Sequence, residues 1–284
     1  MICEISEVTE LKLYDYFIST RKNVPYYFPV SFEHWRESMF NDCDYDGQPL
    51  FYDLKTYLLM NNEKIDGFVQ FGLTNFVFGS VGEKDYSQQY GVIRNIHFSE
   101  DAEKPYLLFD KTTEYFDDLG LEKRYAYFHY FGMSCYARQG KLHNSEFYIE
   151  DLLCKYGYER EHENVYYYKL IQSADLSATP EIDFLYSKNG QDISFIKNNE
   201  KIGGCELNFL PYADICYLKW IYIDSKYSHQ GLGTKCMNRL FYELCKKGVL
   251  RLDTDTADNN TKAQGYYLKT GFLDMGRMRS YHII

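Results

Sequence analysis

The sequence predicts a mixed α/β fold that is built twice in tandem. Three observations carry this reading. Residues 217–224 are an almost unbroken run of aromatic and branched side chains, a glycine turn follows at Gly231-Leu232-Gly233, and Leu232, Cys236, Leu240 and Leu244 then recur four apart: strand, turn, helix. Asn61-Asn-Glu-Lys-Ile-Asp-Gly67 recurs as Asn198-Asn-Glu-Lys-Ile-Gly-Gly204, with six of seven positions identical at an offset of 137. The order of elements around the two copies is also the same, which a chance repeat of one turn would not require.

In chain order, residues 8–17 are expected to form a helix with acidic residues at its start, and residues 32–40 a second one begun by Ser31. The aromatic run Tyr26-Tyr-Phe-Pro29 lies between them. Each Asn-Asn pair suits a tight turn joining antiparallel strands, 56–60 with 65–72 in the first half and 193–197 with 202–209 in the second. Residues 92–98 stand against 218–224 as a central strand. A helix over 105–119 follows, with Leu108, Thr112 and Phe116 on one face, and then a strand over 124–130. Residues 150–158 form a helix that matches one ending at Lys269-Thr-Gly-Phe272, and each half closes on a strand, 164–171 and 277–284. Residues 172–180 are small, polar and aperiodic, which places a linker there and divides the chain into 1–173 and 174–284.

The whole chain sets limits. At 284 residues it suits two domains, and 45% hydrophobic residues are enough for ordinary cores. A net charge of −10 argues against a nucleic-acid partner, which calls for a basic surface, and fits a cationic amine better. No run of about 18 apolar residues and no leader pattern is present, so no membrane association and a cytoplasmic setting are expected. The eight cysteines, at irregular spacings without a Cys-x-x-Cys pair, read as reduced and mostly buried, and no metal site is expected.

The glycine turn has a physical use. The first amides of a helix have no intrahelical partner and carry the positive end of its dipole, and glycines remove the side chains that would hold a phosphate away. A pyrophosphate can therefore sit on the amides of His229, Gln230, Gly231, Leu232, Gly233 and Thr234. Downstream, 250–256 reads as a strand, and in Asn260-Thr-Lys-Ala-Gln-Gly-Tyr-Tyr-Leu-Lys-Thr-Gly-Phe272 the residues Asn260, Ala263 and Tyr267 share one face of a short helix that Gly271 ends.

With these two segments, the stretch from about residue 200 to 275 resembles the GCN5-related N-acetyltransferase (GNAT) family. The resemblance implies two tandem GNAT-like domains, each a mostly antiparallel twisted sheet flanked by helices. It implies that the glycine turn binds the pyrophosphate of acetyl-CoA and that Asn260 contacts the pantetheine arm. The backbone of Ile221, Tyr222 and Ile223, at a bulge in the central strand, would polarise the thioester, and Tyr267 would be the general acid. A phenol with a pKa near about 10 stays protonated at neutral pH and can serve a departing thiolate. The two early helices and the loop holding Tyr26-Tyr-Phe-Pro29 become a candidate acceptor wall. Ser228 departs from the family, whose turn opens on Gln or Arg. The first half has Glu103-Lys-Pro-Tyr-Leu107 where the second has its glycine turn, so a degenerate, supporting first domain is expected.

The base is left open among Glu206, Asp214, Asp253, Asp255 and a water chain, with Glu206 first because it follows the repeated turn into a strand bordering the cleft. The expected function is acetyl transfer to the amine of a small molecule. A transferase for another acyl donor and a non-catalytic acyl-CoA-binding protein are the alternatives.

Overall fold

The computed structural model describes the chain except residues 45, 79–82, 173–178, 180, 211 and 212. It divides into two compact units, Met1–Glu163 with Met278–Ile284, and Asn164–Arg277. The division thus falls inside a strand rather than at 173, and the expected linker lies mostly outside the described residues.

The elements in chain order are β1 (Ile2–Glu4), α1 (Glu7–Arg21), α2 (Phe32–Phe40), β2 (Phe51–Asn61), β3 (Lys64–Thr74), β4 (Val77–Phe78), β5 (Lys84–Asp85), β6 (Gly91–Phe98), α3 (Tyr106–Asp118), β7 (Arg124–Ala126), β8 (Leu142–His143), α4 (Phe147–Lys155) and β9 (Glu159–Leu170). They continue with β10 (Asp183–Tyr186), β11 (Asp192–Lys197), β12 (Glu200–Leu210), β13 (Ile215–Ile223), α5 (Leu232–Lys246), β14 (Arg251–Ala257), α6 (Thr261–Lys269) and β15 (Leu273–Ile283). In the first unit β1, β2, β3 and β6 pair antiparallel, and β6 then pairs parallel with β7 across the α3 crossover. The second repeats this: β10 to β13 pair antiparallel, and β13 pairs parallel with β14 across α5. A parallel pair needs such a crossover, and the helix supplies it.

The local causes are legible. Ser31 caps α2 by accepting from the His34 amide at 3.4 Å, and Trp35 and Met39, four apart, face the core. The stripe Leu232, Cys236, Leu240 and Leu244 of α5 is buried against Cys205, Leu207, Cys216, Leu218 and Leu252 of the sheet. Truncating one of those leucines to alanine should cost about 2–5 kcal/mol. The first unit has its own core, in which Phe71, Ile93, Ile96, Leu108 and Phe116 meet. Tyr26 and Tyr27 are buried in that unit too, and Tyr26 donates to the Lys141 carbonyl at 2.6 Å, so the two tyrosines are packed interior rather than open acceptor surface, while Phe28 is half-buried and Pro29 exposed.

Three expectations change on contact with the structure. The strand expected over 124–130 ends at Ala126, because Tyr127 turns left-handed at φ 56° and bonds back to β6, its amide to the Ile93 carbonyl at 2.9 Å and its hydroxyl to that of Ile96. The seven-residue repeat is out of step with the fold by one residue. Leu59 pairs Gly67 and Gly67 pairs Phe98, while Phe195 pairs Gly203 and Gly203 pairs Ile223, so the structural offset is 136 where the letters match at 137. The turns differ accordingly: Asn61 pairs Lys64 in one, Lys197 pairs Glu200 in the other, and only the second takes both its asparagines left-handed.

The closing strands also change places. Residues Asn164–Leu170 of β9 pair antiparallel with β14, inside the second unit, and Tyr281–Ile283 of β15 pair antiparallel with β7, inside the first. Each half of the chain thus supplies the last strand of the other unit's sheet. Tyr281 is fully buried in the first unit's core, so the exchange is built into packing as well as hydrogen bonding. Among the described residues, no helix is long and apolar enough to cross a membrane, and all eight cysteines are free thiols.

Candidate functional site

The site follows from how β13 leaves β14. Their parallel pairing runs from Ile215 with Arg251 to Leu218 with Thr254 and stops there. On the other side, the β12–β13 register slips between Glu206, which faces Trp220, and Leu207, which faces Leu218, so Lys219 is the bulged residue. A bulge bends its strand and increases the twist. The bulge therefore sits at Lys219, ahead of the expected stretch of Ile221, Tyr222 and Ile223, and that stretch forms the open bank of the split.

The ladder decides which amides face the split. Asp224 donates to the Ile202 carbonyl at 2.9 Å, which makes Ile202 and Asp224 a hydrogen-bonded pair. Antiparallel pairs alternate, so Ile221 and Ile223 occupy non-bonded positions and turn their amides away from β12, toward the side β14 has vacated. Tyr222, between them, bonds with β12 instead.

Below this edge lies a cleft of about 400 Å³ in the second unit. Ile221, Tyr222, Ile223, His229, Gly231, Leu232, Gly233, Asn260 and Tyr267 all line it, as do Ser228, Lys262 and Tyr266. The structure thus gathers nearly every expected cofactor contact around one space. Gln230 and Thr234 are not among the lining residues; Gln230 turns its side-chain amide to the Lys226 carbonyl.

The turn that enters α5 is shaped for this. His229 and Gly231 are both left-handed, at φ 61° and 73°, and Gly231 is the N-cap with no side chain capping the helix. The α5 amides are left for another acceptor. Gly233 has a different reason: a Cβ there would stand 3.3 Å from the ring of Tyr266, whose hydroxyl donates to the Gly233 carbonyl at 2.8 Å. Tyr266 therefore braces the turn from below, a role the sequence did not single out although its neighbour was named. Asn260 caps α6 by accepting from the Ala263 amide at 3.2 Å, and its amide reaches the Thr256 hydroxyl at 3.2 Å.

Tyr267 is buried, its ring tilted against Tyr167 and Phe272. Its hydroxyl lies 3.4 Å from that of Thr254, the last β14 residue paired with β13. Burial pushes its pKa above the usual 10; the Thr254 hydroxyl opposes this, and the charge of Asp255 adds a smaller push upward. The phenol is held protonated.

The candidate bases are dispersed. Glu206 is not part of the cleft lining: its carboxylate pairs with Lys219 and accepts from the Trp220 indole at 2.7 Å. Asp253 is fully buried, pinned by Arg251 at 2.6 and 2.7 Å and by the Tyr166 hydroxyl, with its pKa raised by burial. Asp214 serves through its carbonyl, which accepts from Leu250 and Arg251. Asp255 accepts from Tyr217 and Asn164 and stands one residue past the strand separation. Among the described residues, no group of His, Cys, Asp and Glu is placed to hold a metal ion.

The first unit repeats the split with different side chains around it. Its register slips between Gln70, facing Asn95, and Phe71, facing Ile93, so Arg94 bulges as Lys219 does. Ile96 then corresponds to Ile221, and its outward carbonyl is taken by the Tyr127 hydroxyl. His97, matching Tyr222, is buried between Tyr16 at 2.9 Å and Tyr148 at 3.4 Å, with its pKa pushed far down by burial and by Arg21. The N-cap of helix α3 is Pro105, which has no amide hydrogen to offer.

Part of the chain is similar to a known family, and its fold to solved structures. Residues 146–272 match the acetyltransferase (GNAT) family. No curated protein matches the chain by sequence. Among solved structures, a GCN5-related N-acetyltransferase from Sphaerobacter thermophilus superposes with a TM-score of 0.65 at 8% identity, covering 99% of this chain and 94% of that one. A tandem GNAT protein from the clavulanic acid biosynthesis pathway gives 0.65 at 8% identity, covering 99% and 97%. The GCN5-related glucosamine N-acetyltransferase region of a fungal multi-domain GH3 β-N-acetylglucosaminidase gives 0.64 at 11%; this chain spans 38% of that longer protein. The chain has the fold of these GNAT structures, one of them a tandem GNAT protein, and its residues 146–272 are similar to the GNAT acetyltransferase family.

Proposed function

We propose that the protein transfers an acetyl group from acetyl-CoA to the amine of a small molecule, by direct attack, at the cleft of the second unit. The observation that carries this is the convergence on one space of the uncapped α5 turn, the outward amides of Ile221 and Ile223, and the protonated phenol of Tyr267.

The cofactor would supply an activated acetyl thioester. The amides from His229 to Thr234 would hold its pyrophosphate, with Gly233 leaving the approach open and Lys262 adding a positive charge at the rim. Asn260 would border the pantetheine arm. The Ile221 and Ile223 amides are fixed by their strand, so they can donate to developing negative charge without reorganising. Tyr267 keeps its proton at Oη until a thiolate needs it, and Thr254 holds that oxygen in place.

On this reading the first unit binds no cofactor. Tyr127 fills the corresponding split and Pro105 replaces the glycine turn, which supports a degenerate domain. Eight unpaired thiols suit a cytoplasmic setting.

Calorimetric titration with acetyl-CoA tests the proposal. One site per chain is expected. Two sites would overturn the reading of the first unit, and no binding up to millimolar cofactor would overturn the proposal itself.

A further inference from the structure

The outer face of the second unit's sheet, opposite α5, carries a further group of side chains, of which only Tyr222 also borders the cofactor cleft. On β13, Trp220 and Tyr222 are two apart and on one face, 41% and 40% exposed, with ring centroids 5.7 Å apart. Their neighbours along the sheet, Cys205 and Leu207 of β12 and Leu218 of β13, turn into the core on the α5 side. Since Leu218 pairs with Thr254, the next residues on the two banks are Lys219 with Trp220 on β13 and Asp255 on β14. Two large rings and a carboxylate thus stand on facing edges of the same opening.

The carboxylates of this face differ in what they are already doing. Glu206 is neutralised by Lys219, and Asp253 by Arg251. Asp255 is partly buried, is held only by the neutral donors Tyr217 and Asn164, and forms no ion pair among the described residues. A partly desolvated carboxylate without a counter-cation favours a cation strongly, and exposed aromatic faces on the opposite bank favour the same charge. Asp255 directly follows Thr254, whose hydroxyl lies 3.4 Å from that of Tyr267, so it stands next to the reacting centre on the other face of β14.

We infer that Asp255 receives the ammonium group of the acceptor, with Trp220 and Tyr222 as the platform for its body, so the substrate is a cationic primary amine with a flat or aliphatic frame. This rests on the proposed acetyl transfer and names its substrate class and its base. One N–H bond of the ammonium breaks and one O–H bond forms at an Asp255 oxygen. The amine is left neutral with a free electron pair directed into the split.

The test is binding, in the presence of CoA, of tryptamine, tyramine, glucosamine and spermidine, with the uncharged alcohol tryptophol as control. Asp255→Asn should weaken the amines by about thirtyfold or more, the cost of losing one partner of a close charge pair. Tryptophol and acetyl-CoA affinity should be unchanged. Trp220 is exposed, so Trp220→Ala should fold normally; it should weaken tryptamine and tyramine more than spermidine. Glu206→Gln should leave all amines within about threefold, the scale of one exposed ion pair. If Glu206→Gln abolishes amine binding and Asp255→Asn does not, the assignment is overturned. Acetyl-CoA binding with no amine bound by the wild type also overturns it and leaves the cofactor site standing. Failure to bind acetyl-CoA would instead sink the proposed function, and amine binding to the two variants would still decide the role of Asp255.

Discussion

The Thr254 hydroxyl lies 3.4 Å from the Tyr267 hydroxyl and donates to the Leu218 carbonyl at 2.9 Å. Leu218 and Thr254 are the last paired residues before β13 and β14 part. One side chain therefore stands between the phenol of α6, 13 positions later in the chain, and the point where the sheet opens.

Replacing Tyr267 with Phe keeps the ring that packs on Tyr167 and Phe272 and removes only the acid. Turnover should fall by about 10²- to 10⁴-fold, the usual worth of a general acid. Acetyl-CoA affinity by calorimetry should stay nearly constant. The wild-type pKa is raised above 10, so the acid form persists and its loss should not lower kcat anywhere below pH 10. A rate that drops between pH 8 and 9 through this residue, identified by its absence in Tyr267→Phe, would contradict that.

At Gly233 a side chain meets the Tyr266 ring and covers the turn. Gly233→Val should weaken acetyl-CoA by about ten- to a hundredfold, roughly one hydrogen bond to a charged group. Gly231→Ala adds no clash but strains a left-handed position by about 1–2 kcal/mol. Paired thermal melts and titrations separate the two effects.

The exchanged strands predict that residues 1–173, expressed alone, do not form a stable first unit, because its sheet lacks Tyr281–Ile283. In the intact chain, Tyr281→Ala should destabilise the protein by about 3–5 kcal/mol, as for other large buried aromatics. Denaturant titration of the variant and amide exchange across β7 measure both. A fragment 1–173 as protected as the same residues in the whole chain would refute the exchange.

The fully buried Arg21 pairs with Glu146 at 3.2 Å, and its Nε and Nη1 have no hydrogen-bond partner among the described residues. Burial raises the Glu146 pKa while Arg21 opposes it. Glu146→Ala would strand the guanidinium and should cost about 3–5 kcal/mol. A double change to apolar residues of similar size should recover much of that loss, a comparison that unfolding curves make directly.

The sequence by itself determined what is local. Strand, turn and helix around Gly231, the α5 stripe from Leu232 to Leu244, the Asn260 cap and the position of Tyr267 all depend on neighbours within a few turns, and each is found where the residues put it. Tertiary structure decided what depends on register between distant strands. The bulge at Lys219, the one-residue slip of the repeated turn, the pairing of Glu206 with Lys219 and the neutral donors Tyr217 and Asn164 at Asp255 each turn on which residue faces which across a ladder. The exchange of closing strands is of the same kind: β9 and β15 carry strand signals either way, and only the edge each one meets selects its sheet. Side-chain alternation reverses with every one-residue shift, so such choices are settled by the packed core and not by any window of sequence.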